Sequence, residues 1–108
     1  MKRIYKTHFD AAHFIQNHKL CGERHGHCYH LEVTLDIDKD WYDFHNIKQN
    51  IECILKQYDH HDMGNMTCEK LTKEIYDKIY QKLFTVSVPI KSISVRLFET
   101  EQYGVEYP

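Results

Sequence analysis

The chain has 108 residues, enough for one compact domain spanning residues 1–108 and too few for two. Lysine and arginine total 14 against 16 aspartates and glutamates, and the formal net charge of −2 lacks the basic excess of a general nucleic-acid binder. With 42% apolar and 28% charged residues it reads as an ordinary folded domain, and no apolar run approaches the roughly 18 residues that span a bilayer. Met1-Lys2-Arg3 leads straight into Ile4-Tyr5 without the apolar stretch of a secretory leader. Cys21, Cys28, Cys53 and Cys68 form no CxxC pair, so a reducing, cytoplasmic setting is expected. Histidine is the outlier: of nine, six fall between His8 and His30 and two are His60 and His61.

Residues 4–13 mix β-branched and aromatic residues with polar ones in near alternation and predict a strand. A polar loop with Gly22 follows over residues 16–24. From His25 the alternation is clear, with Leu31, Val33, Leu35 and Ile37 on one parity and His30, Glu32, Thr34 and Asp36 on the other, the pattern of a half-buried antiparallel strand. Phe44, Ile47, Ile51, Ile54, Leu55 and Tyr58 trace one helical face, and Asp43 stands where an N-cap belongs. Residues 59–65 read as a loop. Thr67 then caps a second helix with the face Cys68, Leu71, Ile75, Ile79 and Leu83, which Pro89 prevents from continuing. Ile93, Val95 and Leu97 alternate in a third strand, and a turn at Gly104 precedes a short last strand over residues 105–107. The order strand, strand, helix, helix, strand, strand predicts an α+β domain with two helices on one face of an antiparallel sheet.

The strongest local signal is Cys21-Gly22-Glu23-Arg24-His25-Gly26-His27. In a strand, residues two apart point to one face, so His25 and His27 can offer both imidazoles to one metal ion. They share parity with Tyr29 and Leu31, which places them on the core side, where a neutral imidazole needs a partner. A satisfied core histidine beside a turn histidine fits the same pattern. His13 has the parity of Phe9 and Ala11, and antiparallel pairing of the first two strands would set it beside His25 and His27. Glu99 continues the inward parity of Ile93, Val95 and Leu97, a costly place for an unpaired carboxylate unless the strand has already emerged into solvent.

These motifs resemble, in order, those of the 6-pyruvoyltetrahydropterin synthase superfamily, and within it the bacterial 6-carboxytetrahydropterin synthases of queuosine biosynthesis. They are Phe9-Asp10-Ala11-Ala12-His13, Cys21-x3-His25-Gly26-His27, Asp43-Phe44, Asp59-His60, Thr67-Cys68-Glu69 and Glu99-Thr100 through Gly104 to Tyr107. The resemblance covers nearly the whole chain. It implies a tunnelling fold of four antiparallel strands and two helices, a homohexamer built as a dimer of trimers, and active sites between subunits. It implies Zn2+ on His13, His25 and His27, Cys21 as the proton-abstracting thiol, and Asp59 with His60 as a proton relay. Glu99 would anchor the pterin, with Thr67 and Glu69 contacting it at the second helix, although Thr67 also reads as a plain N-cap.

The implied substrate is 7,8-dihydroneopterin triphosphate, and the implied reaction is cleavage of its side chain to 6-carboxy-5,6,7,8-tetrahydropterin, acetaldehyde and triphosphate. The sister reaction, elimination of triphosphate to a pyruvoyl pterin, uses the same residues. A non-catalytic zinc-binding module is the reading from another class, and the retained Cys21 argues against it. Lys19, Arg24 and His18 are candidate phosphate contacts. Cys28, Cys53 and Cys68 read as small reduced fillers, and His8, His30, His45 and His61 as surface or supporting residues. The stretch Asn65-Met66-Thr67-Cys68-Glu69-Lys70 departs from the family's Asn-Pro-Thr-Ser-Glu-Asn and lacks its proline.

Overall fold

The two long alternating segments pair with each other over almost their whole length. In the computed structural model, which describes residues 1–20 and 22–108, β1 (Lys2–Phe14) and β2 (His25–Ile37) form an antiparallel ribbon registered from Lys2 opposite Asp36 to His13 opposite His25. Strands of 13 residues reach about 43 Å. Two helices lie against one face of this ribbon, α1 (Phe44–Leu55) and α2 (Cys68–Thr85). The 18 residues of α2 reach only about 27 Å, so helix cover fits the middle of the ribbon and not its full length.

The inward face changes character to match. Phe9, Tyr29, Leu31, Val33 and Leu35 form its buried middle and pack with Ile47, Ile51, Leu71, Ile75 and Ile79 of the helices. Burying each such side chain contributes about 1.5–3 kcal/mol. At one end the face turns polar, where the Tyr5 and Thr7 hydroxyls each donate to Glu52 of α1 at 2.6 Å. At the other end stand His13, His25 and His27.

Both helix starts use the residues that the sequence marks. Asp43 accepts from the His45 N–H at 2.9 Å, and Thr67 accepts from the Lys70 N–H at 3.1 Å. α1 ends at Leu55, three residues before the predicted end of its apolar face, but Tyr58 is still buried against the core. Among the described residues no helix is long and apolar enough to cross a membrane.

The sheet corrects the prediction of four antiparallel strands. Among the described residues it has five, in the order β3-β1-β2-β4-β5, with β4 (Ile90–Phe98) and β5 (Gly104–Tyr107) antiparallel to their neighbours and β3 (His61–Asn65) parallel to β1. β3 occupies most of the segment read as a loop. It lies at the sheet edge, carries no alternating apolar residues and buries no side chain fully, so main-chain pairing to β1 holds it, and that pairing leaves no periodic signal in the sequence. Its chain enters beside β1 through the His60 N–H, which donates to the Asp10 carbonyl at 2.6 Å, and leaves through the Met66 N–H, which donates to the Phe14 carbonyl at 3.1 Å. At the opposite edge, Gly104 faces Phe98 across the β4–β5 pair, and a Cβ there would sit 2.5 Å from the Phe98 ring.

Candidate metal centre and active site

Register brings the three histidines together. His13 is opposite His25, and Ala11 is opposite His27, so the imidazoles of His13, His25 and His27 meet on the helix side of the ribbon with ring centroids 4.5–5.0 Å apart. One nitrogen from each lies within 4.8 Å of the others. His13 is 1% exposed, and its Nδ1 is 2.7 Å from the Met66 carbonyl oxygen. A carbonyl can only accept, so Nδ1 carries the proton and donates, leaving the Nε2 lone pair free. His25 is held the same way, donating from Nδ1 to the Glu23 carbonyl at 2.7 Å.

Among the described residues the buried Nε2 atoms of His13 and His27 have no hydrogen-bond partner. Tyr29 lies beneath them, its ring 6.0 Å from His13 and 5.5 Å from His27, and its buried hydroxyl also lacks a partner. Unpaired buried nitrogens cost free energy, and burial holds the His27 imidazole below the usual histidine range against the opposing charge of Glu99. Three imidazoles whose ligand nitrogens converge, two of them with the tautomer set by a main-chain carbonyl, suit a divalent transition metal. The trio fits a metal ion.

Glu99 faces this cluster. It follows directly after β4, where its N–H donates to the Tyr103 carbonyl at 3.1 Å and turns the chain, while the side chain keeps the inward parity of Leu97. Its Oε1 is 3.2 Å from His13 Nε2 and 3.5 Å from His27 Nε2, with 18% of the side chain exposed. The reading in which the strand has emerged into solvent by residue 99 is therefore set aside.

Asp59 and His60 also meet, with Asp59 Oδ2 3.1 Å from His60 Nδ1. The Asp10 N–H donates to Asp59 Oδ1 at 3.0 Å, and this bond, followed by the imidazole, holds the Asp59 carboxyl below the usual carboxylate range. His60 has φ of 59°, a left-handed conformation that costs a non-glycine residue roughly 1 kcal/mol or more. The structure does not join this pair to the three histidines. Among the described residues the two groups are separate, and Asp59 and His60 cluster with Asp10, on the parity opposite His13. The concavity that His60 borders, about 530 Å³, is lined by Asp10, Ala12, Cys28, His61 and Asp62 and also reaches Ala11 and His27 of the paired strands.

Cys21 lies outside the described residues. Its neighbour Gly22 is required by space, because a Cβ there would collide with the His18 carbonyl oxygen. Thr67 is engaged as the α2 N-cap, and Glu69 is exposed in the first turn of that helix, where its charge suits the helix dipole. Of the phosphate candidates, Lys19 and His18 are exposed. Arg24 is paired with Asp62 and lies 5.0 Å from the centre of the Phe14 ring. Cys68 is a buried filler as read, whereas Cys28 and Cys53 are exposed, because their positions fall on the outward parity of β2 and the outer side of α1. His8, His30, His45 and His61 are exposed, in agreement with the sequence reading. The Met66 and Glu23 carbonyls that orient the rings are main-chain groups without a residue-type signal.

A family model described as 6-pyruvoyl tetrahydropterin synthase matches residues 3–108. The chain belongs to this family. A dihydroneopterin monophosphate aldolase from Pyrococcus furiosus is 34% identical over 110 residues, covering 95% of this chain and 93% of that protein. A putative 6-carboxy-5,6,7,8-tetrahydropterin synthase from Archaeoglobus fulgidus is 29% identical over 104 residues, covering 93% and 89%. The fold matches 6-pyruvoyl tetrahydropterin synthases of known structure. The Caenorhabditis elegans protein has a TM-score of 0.81 at 22% identity, with 99% of this chain and 94% of that chain covered. The Plasmodium vivax protein has a TM-score of 0.82 at 17% identity, with 99% and 96% covered.

Proposed function

We propose that this chain is a zinc-dependent lyase that cleaves the side chain of 7,8-dihydroneopterin triphosphate, taking up water and releasing acetaldehyde and triphosphate to leave 6-carboxy-5,6,7,8-tetrahydropterin. The observation that carries this reading is the three-histidine cluster, with two tautomers fixed by main-chain carbonyls and two buried Nε2 atoms without partners. His13, His25 and His27 would hold Zn2+, which supplies Lewis acidity toward the side-chain hydroxyls. Cys21 would abstract a side-chain proton, and a thiol does so only with its pKa lowered by nearby positive charge. Asp59 would orient the His60 imidazole through its contact with Nδ1, which suits proton transfer. Glu99 accepts from the paired N–H donors of the pterin ring, with Thr67 and Glu69 at its edge.

The separation of Asp59 and His60 from the histidines supports an active site assembled from more than one subunit, as in the homohexamer that the family resemblance implies. The chain would then work as a cytoplasmic enzyme of queuosine biosynthesis. A second reading is favoured by the 34% identity to a dihydroneopterin monophosphate aldolase and by Arg24, whose charge is already committed to Asp62. On that reading the C1'–C2' bond of the monophosphate breaks, and C2' and C3' leave as glycolaldehyde phosphate.

Incubation of zinc-loaded protein with the triphosphate and the monophosphate, in separate reactions, distinguishes these readings. Acetaldehyde with a carboxylated pterin supports the first, and glycolaldehyde phosphate with a hydroxymethyl pterin supports the second. A pyruvoyl pterin would show the sister elimination instead. Bound metal with no turnover of either substrate would leave the non-catalytic module.

A further inference from the structure

We propose that Asp62 is a positioning residue for the metal centre, holding Arg24 so that the Glu23 carbonyl keeps the His25 ring in its ligating orientation. This rests on the reading of His13, His25 and His27 as that centre. The His25 tautomer is set by the Glu23 carbonyl, 2.7 Å from Nδ1. Glu23 and Arg24 stand just before β2, past its last registered pair with β1, His25 opposite His13. Sheet pairing therefore does not fix the main chain that carries this carbonyl.

Two side-chain contacts do. Arg24 Nε meets Asp62 Oδ2, and the guanidinium lies 5.0 Å from the centre of the Phe14 ring. Both partners are anchored in turn. Asp62 is registered with Ala12 in the β1–β3 pair, and its Oδ1 accepts from the Gly64 N–H at 2.9 Å. The Phe14 carbonyl accepts from the Met66 N–H at 3.1 Å. A planar guanidinium held by a carboxylate and by a ring face keeps little freedom to rotate. Residue 24 is thereby tied to the sheet, and the adjoining Glu23 carbonyl with it.

β3 buries no side chain fully, so core packing does not account for its side chains. Asp62 reaches Arg24 at the entry to β2. Asn65 reaches Gln16 just past β1, accepting from its N–H at 3.1 Å and donating from Nδ2 to its Oε1 at 3.3 Å. The strand grips both ends of the connection between β1 and β2. Directly after it, the Met66 carbonyl accepts from His13 Nδ1 at 2.7 Å. One edge segment thus orients two of the three imidazoles, His13 by a direct bond and His25 through Asp62, Arg24 and Glu23. The Arg24 and Asp62 side chains are 56% and 44% exposed, and an ion pair so open to water adds little to folding stability. Its effect falls on ligand geometry, where loss of outer groups weakens metal binding roughly 10- to 100-fold.

The test compares wild type, Asp62→Asn, Arg24→Gln and the double variant. Zn2+ affinity is measured by competition against a chelator, and the His25 tautomer by nitrogen NMR of the metal-free protein at about pH 8, where free histidine is neutral. Asparagine keeps the shape of Asp62 and its bond to Gly64 while removing the charge. Each single substitution is expected to weaken Zn2+ binding about tenfold and to turn His25 into a mixture of tautomers, with the His13 tautomer and the urea midpoint nearly unchanged. The double variant also loses about tenfold, because both changes break one contact, whereas independent effects would multiply to about a hundredfold. The single variants approach the contact from opposite strands, so either carries the test if the other fails to fold. Unchanged Zn2+ affinity with an unchanged His25 tautomer overturns the inference and leaves the metal centre intact, and so does a hundredfold loss in the double variant. A raised KM for the phosphorylated substrate in Arg24→Gln at unchanged Zn2+ affinity also overturns it, by making Arg24 a phosphate contact. A wild type that takes up no Zn2+ overturns both this inference and the metal centre.

Discussion

Replacing Tyr29 with phenylalanine tests the reasoning on which the metal centre stands. Tyr29 is fully buried, stacks on Phe9 at 5.2 Å between centroids, and presents its ring to His13 and His27. Its hydroxyl has no hydrogen-bond partner among the described residues, and a buried polar group in that state costs roughly 1–3 kcal/mol. Phenylalanine keeps the ring packing and removes the cost, so Tyr29→Phe is expected to stabilise the metal-free protein by about 1–2 kcal/mol. With an unfolding entropy near 2.1 cal/mol/K per residue, that is a rise in Tm of about 4–9 °C for a chain of this length. Urea unfolding and calorimetry at fixed protein concentration measure it, and chelator competition should find the metal affinity unchanged. A loss of stability of similar size would show that the hydroxyl is paired. The inference from partnerless atoms to a metal site would then lose its footing at His13 and His27 as well.

Cys21→Ala should retain stoichiometric zinc, read by atomic absorption, while turnover is abolished; full activity would remove the role proposed for the thiol. Asp59→Asn leaves His60 without its charged partner and should lower kcat by about 10² or more with metal content unchanged. Thr67→Ala removes the α2 cap and should cost about 1 kcal/mol in urea unfolding; a rise in the pterin KM beyond that loss would add a substrate contact to the capping role. Acidification should destabilise the metal-free protein in two windows. The folded-state pKa of His27 lies below its unfolded value, so its stabilising contribution is present above about pH 6.5 and is lost as pH falls below that. Asp59 is likewise depressed, and its contribution is lost further down, as pH falls from about 4 through its folded value. A stability that stays flat from pH 7 to pH 4 would contradict the burial assigned to His27.

Alternation with period two determined, from the sequence alone, which side chains share the core face, because side-chain direction in a strand is a local property of the backbone. His25, His27 and Tyr29 were therefore legible as a continuation of the Leu31, Val33 and Leu35 stripe and His13 as their neighbour across a hairpin, while parity left Glu99 open between the inward face and solvent. Helical spacing and the caps at Asp43 and Thr67 were legible for the same local reason. The tertiary structure alone decided the rest. The proton on His13 is placed by the Met66 carbonyl, 53 positions away in the chain. β3 exists because its main chain pairs with β1, and main-chain hydrogen bonds look alike for every residue type. Glu99 could be read as inward, but its approach to two imidazole nitrogens follows from the β2–β4 register and the turn at Tyr103. Asp59 and His60 are adjacent in sequence and do meet, yet only the pairing with Asp10 puts them on the sheet face away from the histidines. Local periodicity specifies which way a side chain points. Which groups it meets depends on register and on main-chain contacts between distant segments, which residue identities do not encode one by one.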